Sequence, residues 1–183
     1  MKFYHLFNLI LLSIFISSPV LANDMICYDD RNSMIVGHLD NWISDYKASK
    51  DLKLCVVYVK KGHDITTSPS VFYPRYATLK KKLSFNGFIN IDLNRAKKNA
   101  KKIKINKLED HKNSSNIEFK VFEILNGKAP NKFEYIAYTK AKGSVFLAVM
   151  TSINKDEHKK QKDNFYSFLN SMNQFERSRL KVK

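Results

Sequence analysis

Tyr135-Ile-Ala-Tyr-Thr-Lys-Ala-Lys-Gly-Ser-Val-Phe-Leu-Ala-Val-Met-Thr-Ser-Ile153 is the stretch on which the fold turns. Two apolar runs, Phe133 to Thr139 and Ser144 to Thr151, flank Lys140-Ala-Lys-Gly143, a short connection with the Gly that a tight β-hairpin requires. Downstream, Asn154-Lys-Asp-Glu157 has the form of a capping box, and Phe165, Phe168, Leu169 and Met172 recur at helical spacing. That pattern predicts a C-terminal helix lying across the sheet. Upstream, Ile117, Phe119 and Val121 alternate with Glu118 and Lys120, which is the period of another strand.

Further from the hairpin the patterns change. Leu54-Cys-Val-Val-Tyr-Val59 reads as a strand apolar on both faces, placed centrally in a sheet covered on both sides. Gly62-His63-Asp64 is a turn, and Val71 to Leu79 is an extended segment that Pro74 confines to an edge or breaks. Ile35, Leu39, Trp42, Ile43 and Tyr46 form a helical stripe that predicts a helix over 34–48, capped by Asn32 or Ser33. Ile89, Leu93, Ala96, Ala100 and Ile103 predict a second helix over 90–104, while the polar residues 105–115 read as a mobile loop. The expected fold class is α+β, a mostly antiparallel sheet flanked by helices as an α/β/α sandwich. It forms one domain over 23–175, followed by a basic flexible tail at 176–183.

The C-terminal third resembles Mog1/PsbP-like domains in its order of strand, loop, strand, tight hairpin, very apolar strand and capped helix, carried by Tyr135–Ile153 and Phe165, Phe168 and Met172. Those domains are antiparallel sheets sandwiched by helices, which is what the resemblance implies here. It implies a binding or accessory role in general terms and carries no catalytic residue, because members share no active site.

Residues 1–22 have the form of a cleaved Sec signal: Lys2, an apolar run from Leu6 to Ile16, and Val20-Leu-Ala22 before the cleavage point. The expected address is the periplasm or the exterior. There Cys27 and Cys55, the only two cysteines, are expected to pair as a disulfide. No later stretch approaches the roughly 18–20 apolar residues of a membrane span.

Across 183 residues the formal charge is +15, with 27 Lys against 5 Arg. Such an excess favours an acidic glycan, lipopolysaccharide, anionic lipid or nucleic acid as partner, although codon bias in an AT-rich genome produces the same composition. The charge concentrates at Arg95, Lys97, Lys98, Lys101, Lys102 and Lys104 on the predicted 90–104 helix, which could neutralise several phosphates or simply solvate an outer face. Tyr73, Arg75 and Tyr76, in a Pro-interrupted loop, are a second candidate contact, since aromatic and Arg clusters are typical of binding hot spots.

His38, His63, His111 and His158 supply the residue types of a secreted nuclease, but all are expected in turns or on polar helix faces. No cofactor or metal pattern is present, and no nucleophile motif. The sequence therefore supports an exported, non-enzymatic binding or accessory protein with a basic surface. Two alternatives stand beside it: a structural or protein-interaction module of the cell envelope, and a secreted hydrolase such as a nuclease.

Overall fold

The computed structural model describes residues 24–100, 102–128 and 133–176. The signal-like segment 1–22, Lys101 and residues 177–183 of the tail lie outside these described residues. The hairpin is formed by β9 (Phe133–Ala141) and β10 (Ser144–Ser152), paired from Ser144 with Ala141 to Ser152 with Phe133. Gly143 closes it at φ +71°, where a side chain is rarely tolerated and a Cβ would stand 2.9 Å from Arg31 Nη1. Every residue of β10 is buried.

Around the hairpin the main sheet runs β3 (Trp42–Ser44), β4 (Tyr58–Lys60), β5 (Ser70–Thr78), β10, β9, β8 (Glu118–Leu125) and β6 (Lys104–Lys107), with β7 (His111–Lys112) also pairing β8. All of these pairings are antiparallel. A second sheet of three strands, β1 (Met25–Tyr28), β2 (Asn32–Val36) and β11 (Met172–Glu176), has β2 in the middle. Alternation along the central strands divides the core in two. On one face Phe72, Phe119, Phe146 and Met150 pack with Phe165, Phe168 and Leu169 of the C-terminal helices and with Met34, Val36 and Met172 of the small sheet. On the other, Tyr138, Leu147 and Val149 pack under α2 (Phe85–Asn99) through Ile89 and Leu93, while Val57 and Val59 pack under α1 (Tyr46–Asp51). The α+β sandwich is present.

Local patterns failed where strand pairing outweighed helical spacing. The expected 34–48 helix is instead β2, β3 and the short α1: Met34 and Val36 point inward with period 2, and the chain reverses past Gly37 and Asn41, the latter at φ 66°. Asn32 and Ser33 are buried strand residues. Asn32 accepts from the Lys142 amide and, like Ser144, donates to Asp29, which ties the β1–β2 turn to the hairpin tip.

The second helix begins at Phe85, where Ser84 accepts from the Gly87 amide, and ends at Asn99 because Ala100 is extended. Segment 105–115 contains β6 and β7, so it is not a free loop; Asn106 of β6 donates to Glu123 of β8 at 2.8 Å. The expected extended segment does form a strand, β5 over Ser70–Thr78, inside the sheet. β4 pairs it only at Val71 and Phe72, so Pro74 falls where that neighbour has ended and its missing N–H leaves no β4 partner unmet. Residues 54–57 are buried or half-buried as expected, but only Tyr58–Lys60 joins the ladder.

The C-terminal helix is broken into α3 (Lys155–Lys160) and α4 (Lys162–Asn170), and Met172 opens β11. Asn154 caps α3 by accepting from the Glu157 amide at 2.9 Å. Cys27 and Cys55 form the expected disulfide. No helix among the described residues is long and apolar enough to cross a membrane.

Candidate functional site

Helix α2 presents Ile89 and Leu93 to the sheet and turns Ile91, Asn94, Arg95, Lys97 and Lys98 outward, where they line a shallow groove of about 620 Å³. Its lining holds three cations and no carboxylate. Among the described residues Arg95, Lys97, Lys98, Lys102 and Lys104 have no ion-pair partner. Lys97 and Lys98 occupy the last turn, where positive charge also complements the carbonyl end of the helix dipole. Lys102 sits in the turn that follows, and Lys104 opens β6, so these two do not share a helical face with Arg95, Lys97 and Lys98. Ile91 is 50% exposed beside them, an apolar element within a cationic surface.

Tyr73, Arg75 and Tyr76 belong to β5 and not to a loop. Tyr73 and Arg75 lie on the α2 face of the sheet. There Arg75 Nη2 is 3.8 Å from Asp92 Oδ2 of α2, and Tyr138 donates to that same oxygen at 2.9 Å. Arg75 is 45% exposed, so the pair contributes little energy, but it offsets the local charge. Burial pushes the Tyr73 hydroxyl up to about 12, with Glu134 nearby acting in the same direction. Tyr73 and Arg75 also border a groove of about 470 Å³ lined mainly by apolar residues, among them Leu52, Leu54, Ile65 and Val71. Tyr76 faces the opposite side and packs edge-on against Phe146, 5.0 Å between ring centroids. The structure thus brings Arg75 to α2 and leaves Tyr76 apart.

The histidines are dispersed. His63, in the loop after β4, contacts the Thr67 carbonyl, while His111, on β7, contacts Asn170. Strands β5, β10, β9 and β8 separate those two positions. His38 is exposed.

His158 corrects the expectation of a polar surface position, for it is 1% exposed. Its ring stacks on Tyr135 at 4.1 Å and its Nε2 is 3.2 Å from Glu123 Oε1. Burial pushes this imidazole below its ordinary range against the pull of Glu123. Partial burial of Glu123 opposes its charge, yet bonds from Asn106 and His158, with weaker help from Tyr135, hold its carboxyl below the usual range. This cluster was not singled out in the sequence. The one signal was His158 four residues into a capped helix, at a spacing of seven from Phe165. Among the described residues no group of three or more His, Cys, Asp or Glu side chains is placed to hold a metal.

These features define an antiparallel α+β sandwich with a basic helix on its outer face. Its fold is similar to that of cyanobacterial PsbP (CyanoP) from Synechocystis sp. PCC 6803, at 10% identity, TM-score 0.49, and coverage of 86% of this chain and 96% of that one. It is also similar to that of the Ran-binding protein Mog1p of Saccharomyces cerevisiae, at 11% identity, TM-score 0.44, and coverage of 82% and 95%. No family model matches the sequence, and no curated protein does.

Proposed function

We propose that this is an exported, non-enzymatic binding protein whose basic surface on α2 engages an anionic envelope or extracellular partner. Arg95, Lys97 and Lys98, with Lys101, Lys102 and Lys104 following in sequence, form the contact, and Tyr73 and Arg75 flank it across Asp92. The observation that carries the reading is the groove at Ile91–Lys98, three cations with no carboxylate in the lining. Unpaired surface lysines attract polyanions at long range and hold them loosely, which suits a surface contact better than a bidentate site built from Arg.

Charge reversal tests it. Wild-type protein is expected to co-sediment with phosphatidylglycerol vesicles and to be retained on heparin, with both weakening as salt rises. Lys97→Glu, Lys98→Glu, Lys101→Glu and Lys102→Glu together should abolish this without changing the thermal melt. Unchanged co-sedimentation and retention in that variant would overturn the proposal.

A further inference from the structure

Beyond the Lys120–Tyr138 pair the ladder between β8 and β9 stops. The first residues of β8, Glu118 and Phe119, pair with Lys112 and His111 of β7, which follows β6 along the opposite edge of β8. Thr139 and Lys140 continue β9 along β10 on its other side. At this end of the β8–β9 ladder lies a wedge-shaped groove of about 810 Å³, within the range of ligand sites, lined by residues of β8 and β9 together with α2, β7 and β11.

Three kinds of group line this wedge. Lys112 and Lys140 are exposed and have no ion-pair partner among the described residues, while Lys120 donates to Asn86 at 3.0 Å. Two carboxylates sit among these cations: Asp110, which Lys107 meets at 3.4 Å, and Glu118. The neutral side chains of Asn116, Thr139 and Gln174 also line the groove and make no hydrogen bond among the described residues. Thr139 is only 4% exposed as a residue, yet its hydroxyl is not sealed off and stays open to the groove that it lines.

We propose that this wedge binds an acidic oligosaccharide, a chain carrying carboxylates at sugar spacing. Lysines interleaved with Asp110 and Glu118 suit a sparse anion whose hydroxyls donate to those carboxylates; a dense polyphosphate would meet the same carboxylates as repulsion. Asn116, Thr139 and Gln174 offer the neutral donors and acceptors that sugar hydroxyls need. The aromatic rings of the lining are engaged by the protein rather than laid open as a stacking platform: Phe119 is fully buried, Lys120 lies over Phe85, 6.0 Å from its ring centroid, and His111 contacts Asn170 and packs edge-on against Tyr166 at 5.1 Å. The proposal does not rest on the α2 reading, because Arg95, Lys97 and Lys98 do not line this groove.

Isothermal titration of the disulfide-bonded protein with oligogalacturonate, its fully methyl-esterified form and an oligouridylate tests the assignment. Saturable binding of the acidic sugar is expected, weakened at least about tenfold by esterification or by Lys112→Glu with Lys140→Glu. Thr139→Val should weaken it with the melting temperature preserved, and Lys97→Glu with Lys98→Glu should change it by less than about twofold, as expected for distant sites. No saturable binding, equal binding of the ester, or tighter oligouridylate binding lost with Lys112 and Lys140 would overturn the proposal. Loss on reversing Lys97 and Lys98 alone would move the anion to α2, overturning this assignment while leaving the α2 reading in place.

Discussion

Removing the Cys27–Cys55 disulfide, by Cys27→Ala with Cys55→Ala, should cost this protein a large part of its stability. The bond closes a loop of sequence separation 28 that contains β2, β3 and α1, and thus joins the edge strand of the small sheet to the chain entering β4 of the main one. In the chain-entropy model a loop of this length restricts the unfolded ensemble by about 12 cal/mol/K, or about 3–4 kcal/mol at 25 °C. At about 2–4 °C per kcal/mol for a domain of this size, the melting temperature should fall by about 6–16 °C.

Thermal and urea melts followed by circular dichroism measure the loss. Reduced wild-type protein provides the second arm, because a constraint on the unfolded chain vanishes equally whether the thiols remain or become methyl groups. The two forms should agree within about 1 kcal/mol, an allowance for the buried Cys27 side chain. A loss below about 1 kcal/mol, or a stable alanine variant beside an unfolded reduced protein, would refute the reasoning.

Acid should weaken the fold in two stages. Burial depresses the His158 pKa, so between that value and 6.5 the unfolded chain binds a proton that the folded chain does not; stability is full above about pH 6.5 and falls as pH drops through this window. The depressed Glu123 carboxyl adds stability above about 4.5 that is lost on further acidification, and His158→Gln should flatten the upper stage of a melting-temperature profile; an unchanged profile would count against the pair. Phe168, fully buried against Phe72 at 5.4 Å and Tyr58 at 6.0 Å, should cost about 3–5 kcal/mol when changed to Ala, as read by urea denaturation. Gly143→Val should lower the melting temperature through its φ of +71° and the crowding of Arg31, whereas a neutral effect would show that the hairpin relaxes at no cost.

The hairpin and the sandwich were legible because period-2 alternation, a Gly-containing connection and an N-cap agree at residues 133–157. The N-terminal half misled because Ile35, Leu39, Trp42 and Ile43 satisfy a helical stripe as well as two short strands. Only the pairing of β2 with both β1 and β11 decides between them, and β11 lies more than a hundred residues away in sequence. Nor could β6 be read, since Lys104-Ile-Asn-Lys107 is a short edge strand whose partner β8 lies beyond a polar segment. The cations of α2 were visible as residues, but their division among helix, turn and strand was set by Ala100, whose extended backbone no neighbouring residue announces. His158 and the wedge at Thr139 were hidden for the same reason: both are made by contacts between β8 and elements distant in sequence, α3 for the histidine and β9 for the wedge.

The most direct test of the α2 account is the salt dependence of heparin-fragment affinity, measured side by side for wild type and for Lys97→Glu with Lys98→Glu. The account predicts a steep fall of log K with log salt in the wild type and a slope shallower by about one for each lysine that had met an anion. Superimposable slopes and affinities would place the anion contact elsewhere and contradict it.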